Sequence, residues 1–300
     1  MHIWAVGGGK GGTGKSLVSH GLSARLAERG FNVILVDTDY GGPNQHTYCG
    51  IRKPTTSLAQ FFEAHTPLEE LMMKTKIEGL HLIPGNFNSQ NTDSLTSTQK
   101  QKLFRHIKKL PADHVILDLG AGTQYDTLDT FLLADIQVCV IAPDTLALEN
   151  FYLFLKNLRF RQLNNTLSAL GLRERAKTIW KDRAEFEIST GDQFARHLMG
   201  LFPDFAQMFD QEQKRLKPHI ILNQVREYRQ AEIGLAVSSA ASKAFKLFAS
   251  FAGHIRYEKD LWLRLGQDVP VIHPGVPFNL RQDLEKITDD ILLSHRSEIT

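Results

Sequence analysis

The sequence is poor in cysteine, in long apolar runs and in net charge, and each scarcity excludes a class of protein. Its two cysteines, Cys49 and Cys139, form no Cys-x-x-Cys pair, so neither a disulfide framework nor a zinc or iron–sulfur site is supported. No apolar stretch approaches the ~20 residues that crossing a bilayer requires. A net charge of +2 lacks the basic excess that is typical of nucleic-acid-binding domains.

The N-terminus also lacks the features of a secretory signal. The apolar run of residues 1–6 is short and is followed at once by glycines, whereas a signal peptide needs a longer apolar core. We therefore expect a cytoplasmic protein.

The rest of the sequence has the composition of an ordinary globular protein, with 42% apolar and 23% charged residues. Short runs rich in Val, Ile and Leu alternate with segments of helical spacing, a pattern that indicates a parallel sheet covered on both faces. The strand-like runs are Ile3–Val6, Val33–Val36, Leu80–Ile83, Val115–Leu117, Val138–Ile141 and Ile220–Leu222, with a weaker one at Gly253–Tyr257. The helical segments between them include Leu17–Arg29, Gln99–Lys109 and Leu146–Leu163. We predict a doubly wound, mostly parallel α/β fold.

One stretch interrupts this alternation. Residues 164–217 contain no convincing strand, but helical patterns occur around Glu174–Glu187 and Gly191–Lys214. We interpret the chain as a single domain over residues 1–300 that carries a helical insertion at about 164–217. An insertion of this length in a compact fold is more often functional than neutral.

The strongest motif is a glycine-rich loop between the first strand and the first helix. Residues 9–16 read GKGGTGKS and satisfy the P-loop pattern GxxxxGK[ST], in the strand–loop–helix context that the motif requires. Backbone N–H groups of such a loop surround phosphate oxygens, and the following helix directs its positive end at the same anion. We expect Lys15 to reach the β- and γ-phosphates of ATP and the Ser16 hydroxyl to bind Mg²⁺. The predicted nucleotide-binding residues are Gly9, Gly11, Gly12, Thr13, Gly14, Lys15, Ser16 and Leu17.

Carboxylates follow two of the other strands. Asp37 and Asp39 end the second strand, and Asp118 follows the apolar run Val115–Leu117. Ligands of open α/β sheets bind at these carboxyl ends, and Asp118 fits the aspartate that holds a magnesium-bound water in P-loop proteins. Asp126 and Asp129 are interpreted as ordinary polar residues at the start of a helix.

Lys10, near the start of the loop, distinguishes this motif from the general P-loop pattern. The form GKGGTGKS resembles the deviant Walker A ATPases of the SIMIBI class, the MinD/ParA family, and the motifs together are closest in style to its FlhG/MinD-like members. The "DLGAG" at the end of the run Val115–Leu117 is closer to the FlhG-like members than to the form typical of MinD itself. In that family the signature lysine reaches the nucleotide of a partner subunit, so the resemblance implies an ATP-dependent homodimer in which Lys10 stabilises the transferred phosphoryl group.

The resemblance also implies roles for other residues. Asp37 would support magnesium or the signature loop, and Asp39 would orient or activate the attacking water. The segments Tyr40–Asn44 and Gly120–Gly122 would be switches that respond to the γ-phosphate. Asn223 would contact adenine, whereas Arg256 stands where the family usually has a proline.

Within that family, several activities are excluded by what the sequence lacks. It has no cysteines near Asp118 for a bridged cluster, no C-terminal Cys-x-x-Cys, and one P-loop where fused ATPases have two. An ATPase that positions a flagellum, a division site or a DNA cargo together with a regulatory protein fits best. The alternative is a metabolic ligase or kinase on the same scaffold, similar to dethiobiotin synthetase.

The surface that such a regulator would use is not determined by the sequence. The C-terminal helix, about Leu280–Leu293, has an acidic polar face that anionic lipid would repel, so we expect it to pack on the body. Basic pairs that a DNA-binding member would use can equally be ordinary surface residues. These candidates are Arg159 and Arg161, Arg226 and Arg229, and Arg256 and Arg264. The sequence therefore supports neither DNA nor membrane binding.

Overall fold

A twisted eight-stranded sheet forms the centre of the protein, for which the computed structural model describes residues 1–85, 96–273, 275 and 278–297. The strands are β1 (His2–Gly7), β2 (Val33–Thr38), β3 (Met73–Lys74), β4 (Leu80–Ile83), β5 (His114–Leu119), β6 (Ile136–Ile141), β7 (His219–Val225) and β8 (Ser250–Arg256). Their order across the sheet is β3-β4-β2-β5-β1-β6-β7-β8, and every described pairing is parallel except that of β3 with β4. This confirms the predicted fold class.

Helices cover both faces of the sheet, because the central strands are apolar on both sides. The helices are α1 (Lys15–Glu28), α2 (Gln45–Tyr48), α3 (Leu58–Glu63), α4 (Ser97–Ile107), α5 (Tyr125–Leu133), α6 (Thr145–Ala169), α7 (Arg173–Lys181), α8 (Gly191–Leu201), α9 (Pro203–Arg215), α10 (Tyr228–Phe245) and α11 (Phe278–Ser297). Short 3₁₀ helices occupy Leu68–Leu71 and Leu261–Arg264. One core lies beneath α1 and α11, and a second lies beneath α4, α5, α6 and α10.

Several boundaries differ from those that the sequence predicts. The edge strand β3 is not predicted, since two residues carry no recognisable alternation. The pattern around Gly191–Lys214 is two helices, because Phe202 is extended and Pro203 begins a new helix in the first turn, where a missing N–H costs least. The helix predicted around Glu174–Glu187 ends at Lys181.

The helices between β6 and β7 have a small apolar core of their own. The last part of α6 packs against α7 and α9, and α8 packs against α9, so that all four helices share one apolar cluster. The buried side chains of this cluster are Leu163, Leu167, Ala176, Ile188, Phe194, Leu198, Phe205 and Phe209. The long helix α6 therefore contacts both the sheet and the helices α7, α8 and α9, which we call the inserted helices.

The C-terminal helix α11 packs against α1 and β8, as its apolar spacing predicts. Leu280, Leu284, Ile287 and Ile291 are all buried, and each such side chain stabilises the folded state by ~1.5–3 kcal/mol. The acidic face contacts basic residues of the body through the ion pairs Arg29–Asp289 and Arg256–Asp283. Within the described residues, none of the helices combines the length and apolar character that crossing a bilayer requires.

Candidate functional site

The glycine-rich loop lies between β1 and α1, at the carboxyl edge of the sheet. Gly12 and Gly14 have φ values of 80° and 90°, a left-handed conformation that glycine adopts without strain. A Cβ at Gly14 would also lie 2.1 Å from the Asn223 Nδ2, so the loop and the end of β7 approach too closely for any side chain there. Gly14 is the N-cap of α1, which directs its unpaired N–H groups at the loop.

Two polar groups of this loop, the Thr13 hydroxyl and the Lys15 ammonium, are buried. The Thr13 Oγ1 has no hydrogen-bond partner in the part of the chain that the structure describes. The Lys15 Nζ donates to the Lys10 carbonyl oxygen at 3.1 Å, and burial lowers the pKa of Lys15 although Asp118 and Asp39 act to raise it. A desolvated ammonium, an orphaned hydroxyl and a helix N-terminus together fit a bound phosphate chain.

Asp37 and Asp118 are opposite each other on the adjacent strands β2 and β5, and both are fully buried. The Asp118 Oδ1 accepts from the Ser19 hydroxyl, and burial raises its pKa against the opposing effect of hydrogen bonds from Gln45, Ser19 and Ser16. Burial, and next the charge of Asp118, raise the pKa of Asp37 well above its ordinary value. Two carboxyl groups so close favour a nearby cation, and the Ser16 hydroxyl beside Asp118 completes an oxygen donor set of the kind that Mg²⁺ prefers.

Gln45 is a site residue that sequence reasoning missed. It is fully buried, and its Nε2 donates to the Asp118 Oδ2 at 2.8 Å and to the Ser16 carbonyl oxygen at 2.9 Å. Its backbone N–H donates to the Asp37 Oδ2 at 2.9 Å. One residue thus connects both carboxylates to the loop. A glutamine after Asn44 gives no signal in the sequence, because only the return of the chain over β2 brings it here.

Asp39 lies between the two glycine-containing segments that follow β2 and β5. Its Oδ1 accepts from the N–H groups of Gly41 and Gly42 at 3.0 and 3.2 Å. A Cβ at Gly120 would lie 2.9 Å from the same oxygen, so the two segments are in close contact through this carboxylate. Asp39 and Ala121 line both neighbouring cavities, of about 420 and about 270 Å³.

The larger cavity extends from the glycine-rich loop to the segment after β8. Asn223 and Gln224, at the end of β7, form part of its wall, and their amide nitrogens donate to the carbonyl oxygens of Thr13 and Gly12 at 2.8 and 2.7 Å. Leu17 lines the same cavity. Of the predicted residues, this cavity is lined by Gly11, Gly12, Gly14, Lys15, Ser16, Leu17, Asp39 and Asn223, but not by Gly9, Lys10, Thr13, Asp37 or Asp118. Both carboxylate oxygens of Asp37 accept from the backbone.

Lys10 is oriented differently from Lys15. Its Nζ forms an ion pair with the Asp144 Oδ1 at 3.0 Å, and both side chains are partly exposed. Asp144 is the N-cap of α6, where its carboxylate also accepts from the Ala147 N–H at 2.9 Å. These hydrogen bonds, that of Ala147 first, lower the pKa of Asp144. In the single chain Lys10 therefore contacts its own α6.

Asp126 and Asp129 lie in α5, with Asp126 in its first turn, as the sequence predicts, and both also form ion pairs. Asp126 forms an ion pair with Lys100, and Asp129 binds Arg161 at 2.6 Å, all within a largely buried network between α4, α5 and α6. The contacts connect residues far apart in the chain, so local sequence could not reveal them.

Several arginines considered for DNA contact are engaged within the protein. Besides Arg161, Arg159 lies over the Phe209 ring and Arg226 lies over the Tyr257 ring. Arg256, which stands at the proline position of the family, binds the Asp283 carboxylate with two guanidinium nitrogens, and this contact raises its pKa. Arg256 thus anchors the end of β8 to α11.

Comparison with known proteins agrees with this arrangement. The AAA domain family matches residues 1–169, which include the glycine-rich loop, Asp37, Asp39 and Asp118. The chain belongs to this family. Two curated proteins are similar to this chain in sequence, namely the septum site-determining protein MinD of Neisseria meningitidis and the antiactivator FleN of Pseudomonas aeruginosa. The first is 27% identical over 146 residues, which are 47% of this chain and 54% of MinD. The second is 29% identical over 175 residues, which are 55% of this chain and 61% of FleN.

A solved structure extends the likeness to nearly the whole chain. The septum site-determining protein MinD of Pyrococcus horikoshii, complexed with Mg-ADP, superposes with a TM-score of 0.60 and 18% identity over 97% of this chain and 95% of that one. At this identity the likeness shows the fold alone. In sequence, the match spans only about half to three-fifths of the curated relatives. These findings confirm the resemblance to the MinD/ParA family of P-loop ATPases and give no support to the metabolic alternative.

Proposed function

We propose that this MinD/ParA-family chain binds ATP with Mg²⁺, hydrolyses it slowly and uses the cycle as a dimerisation switch. One observation carries the proposal, namely that the buried Lys15 ammonium and the unpartnered Thr13 hydroxyl lie at the N-terminus of α1, above a buried pair of aspartates. A buried ammonium, an unpartnered hydroxyl and the free N–H groups of a helix N-terminus fit the phosphate chain of a nucleotide.

Each part of the loop has a task in this cycle. The N–H groups of residues 11–16 and the Lys15 ammonium bind the β- and γ-phosphates, and Ser16 with Asp118 behind it would hold the metal. When bound, Mg²⁺ neutralises charge on the phosphate oxygens. Asp39 orients the attacking water, because it combines a place in the cavity wall with contacts to both glycine segments. Gln45 transmits the position of Ser16 to Asp37 and Asp118.

Dimerisation requires Lys10 to change partner. In the single chain its ammonium is held by Asp144, and in the proposed dimer it crosses to the phosphates of the partner subunit and stabilises the charge of the transferred group. Loss of the γ-phosphate then lets the segments at Tyr40–Asn44 and Gly120–Gly122 relax, so that the dimer separates.

The cellular role is that of a cytoplasmic regulator that positions or controls a structure together with a protein partner. The relatives support this role, since their names refer to septum placement and to antiactivation. We further propose that residues 1–300 act as one domain in which the helices at about 164–217 provide a partner surface.

The test combines particle mass, measured by light scattering, with ATP turnover in the absence of any metabolite. The wild-type protein is expected to dimerise with ATP and to be monomeric with ADP. Lys15→Ala should lose nucleotide binding, Lys10→Ala should bind ATP but remain monomeric, and Asp39→Ala should remain dimeric because hydrolysis stops. A particle mass that is independent of ATP in both the wild type and Asp39→Ala contradicts the switch.

A further inference from the structure

The segment after β8 brings apolar side chains to the end of the larger cavity that is remote from Lys15. Tyr257, Leu261, Trp262 and Leu265 line this end. Trp262 is 68% exposed, which is unusual for the largest apolar side chain, and it is placed by the 3₁₀ helix Leu261–Arg264. An exposed indole in the wall of this cavity is available to contact a ligand that binds there.

The two aromatic residues of this wall differ in what already covers them. The guanidinium of Arg226 lies 4.2 Å from the centroid of the Tyr257 ring, so that one face of Tyr257 is occupied. Trp262 makes no stacking or cation–π contact with any residue in the described ranges. Tyr48 also lines the cavity, but its ring lies against that of His20. Among the described aromatic residues of the lining, Trp262 is therefore the one whose ring has neither a ring contact nor a cation over it.

The segment that carries Trp262 is anchored at both ends. Before it, Arg256 binds Asp283. After it, Asp268 forms an ion pair with Arg52 at 2.6 Å, and the Val271 N–H donates to the Tyr48 carbonyl oxygen at 2.8 Å. The indole thus belongs to a segment that is connected to α11 before it and to α2 after it.

The chemistry of the wall near Trp262 fits the heterocyclic half of a nucleotide. The Asn223 and Gln224 amide nitrogens donate to the loop carbonyls of Thr13 and Gly12, which leaves their side-chain oxygens as acceptors for an exocyclic amino group. The cavity of about 420 Å³ has the size of a small-molecule site and is continuous with the phosphate end. A nucleobase placed between the side-chain oxygens of Asn223 and Gln224 and the Trp262 indole would be stabilised by hydrogen bonds and by stacking.

We propose that Trp262 stacks on the nucleobase and supplies most of the affinity for the nucleoside half of the ligand. This inference rests on the proposed nucleotide binding and deepens it, because it assigns the base-binding surface to one aromatic residue of the cavity wall. Since every purine has a π-face, the contribution of Trp262 should be similar for ATP and GTP, and discrimination between them falls to the side-chain oxygens.

The experiment uses the three tryptophans of the chain, of which Trp4 is buried and Trp180 lies in α7 among the inserted helices. The full chain with Mg²⁺ is titrated with ADP and, separately, with inorganic tripolyphosphate, and binding is measured by calorimetry and tryptophan fluorescence. The variants are Trp262→Ala, Trp262→Phe and, as the matched control, Trp180→Phe. Thermal melting checks that each variant is folded.

Trp262→Ala is expected to weaken ADP binding by about tenfold, the effect of losing one base–aromatic stack, and to leave tripolyphosphate binding unchanged. Trp262→Phe should restore most of the affinity, and ADP should quench fluorescence in the wild type and in Trp180→Phe but not in Trp262→Phe. A folded Trp262→Ala protein that binds ADP like the wild type overturns the inference while the phosphate site stands. A wild-type protein that binds neither ligand refutes the nucleotide site itself.

Discussion

The ion pair between Lys10 and Asp144 opposes dimerisation if Lys10 must cross to the partner subunit, so neutralising Asp144 should strengthen the dimer. Asp144→Asn is the suitable change, because asparagine caps a helix about as well as aspartate and keeps the acceptor for the Ala147 N–H. The substitution removes the negative charge and preserves the start of α6.

The magnitude follows from the exposure of the pair. The side chains of Lys10 and Asp144 are 34% and 48% exposed, so solvent screens their attraction, and such pairs contribute about 0.2–1 kcal/mol. Each dimer breaks two of these pairs, one per protomer, which amounts to about 0.4–2 kcal/mol. The dissociation constant of the ATP-bound dimer should therefore fall by about twofold to thirtyfold in Asp144→Asn.

Sedimentation velocity with a non-hydrolysable ATP analogue measures this constant directly. The difference between wild type and Asp144→Asn should shrink as salt is raised, because added ions already screen the pair in the wild type. Lys10→Ala provides the control, since it removes the ammonium on which both the ion pair and the dimer contact depend, and it should not dimerise. An Asp144→Asn dimer that is no tighter than the wild type, or weaker, refutes the view that Asp144 restrains Lys10.

Two further predictions concern buried groups near the site. Burial, and next the charge of Arg25, lower the pKa of His20 to about 3 from an ordinary 6.5, so His20 is neutral when folded. The unfolded chain takes up the proton as pH falls below 6.5, and stability should therefore be constant above that pH and decrease towards pH 3. At pH 5 the free energy of unfolding should be about 2 kcal/mol lower than above pH 6.5, and urea unfolding measures this difference. In His20→Asn this contribution to the pH dependence should be absent. The same pH dependence of stability in both proteins would contradict the prediction. Gln45→Leu should lower the free energy of unfolding by about 2–3 kcal/mol, because Asp118 loses a hydrogen bond in a buried setting, and it should weaken binding of Mg-ADP. Unchanged stability at pH 7 would show that Asp118 does not depend on the amide.

The parts of the molecule that sequence predicts well are those whose chemistry is local. The loop at residues 9–16 needs its glycines and its following helix within one short stretch, so the sequence alone predicts both its position and the strand and helix around it. The central strands are likewise apolar runs that both faces of the sheet bury. Fold class then follows from the alternation of strands and helices.

Contacts between distant segments account for what the sequence does not reveal. Gln45 reaches Asp118 across 73 positions, and Lys10 reaches Asp144 across 134. Neither partner belongs to a motif with the other. Arg161 similarly resembles a surface arginine until α5 places Asp129 beside it. Such pairs depend on the packing of whole elements, which composition and spacing do not specify.

The length of α6 has a consequence for how the protein can be controlled. Its 25 residues make a rod of about 37 Å. Asp144 caps one end, Phe151 and Phe154 fix the middle to the sheet, and Leu163 and Leu167 hold the inserted helices at the other end. The inserted helices thus pack on the C-terminal part of the helix whose N-cap, Asp144, binds Lys10. We therefore expect a partner that displaces α7, α8 and α9 to change the position of Asp144 as well, because no loop separates the two ends of α6.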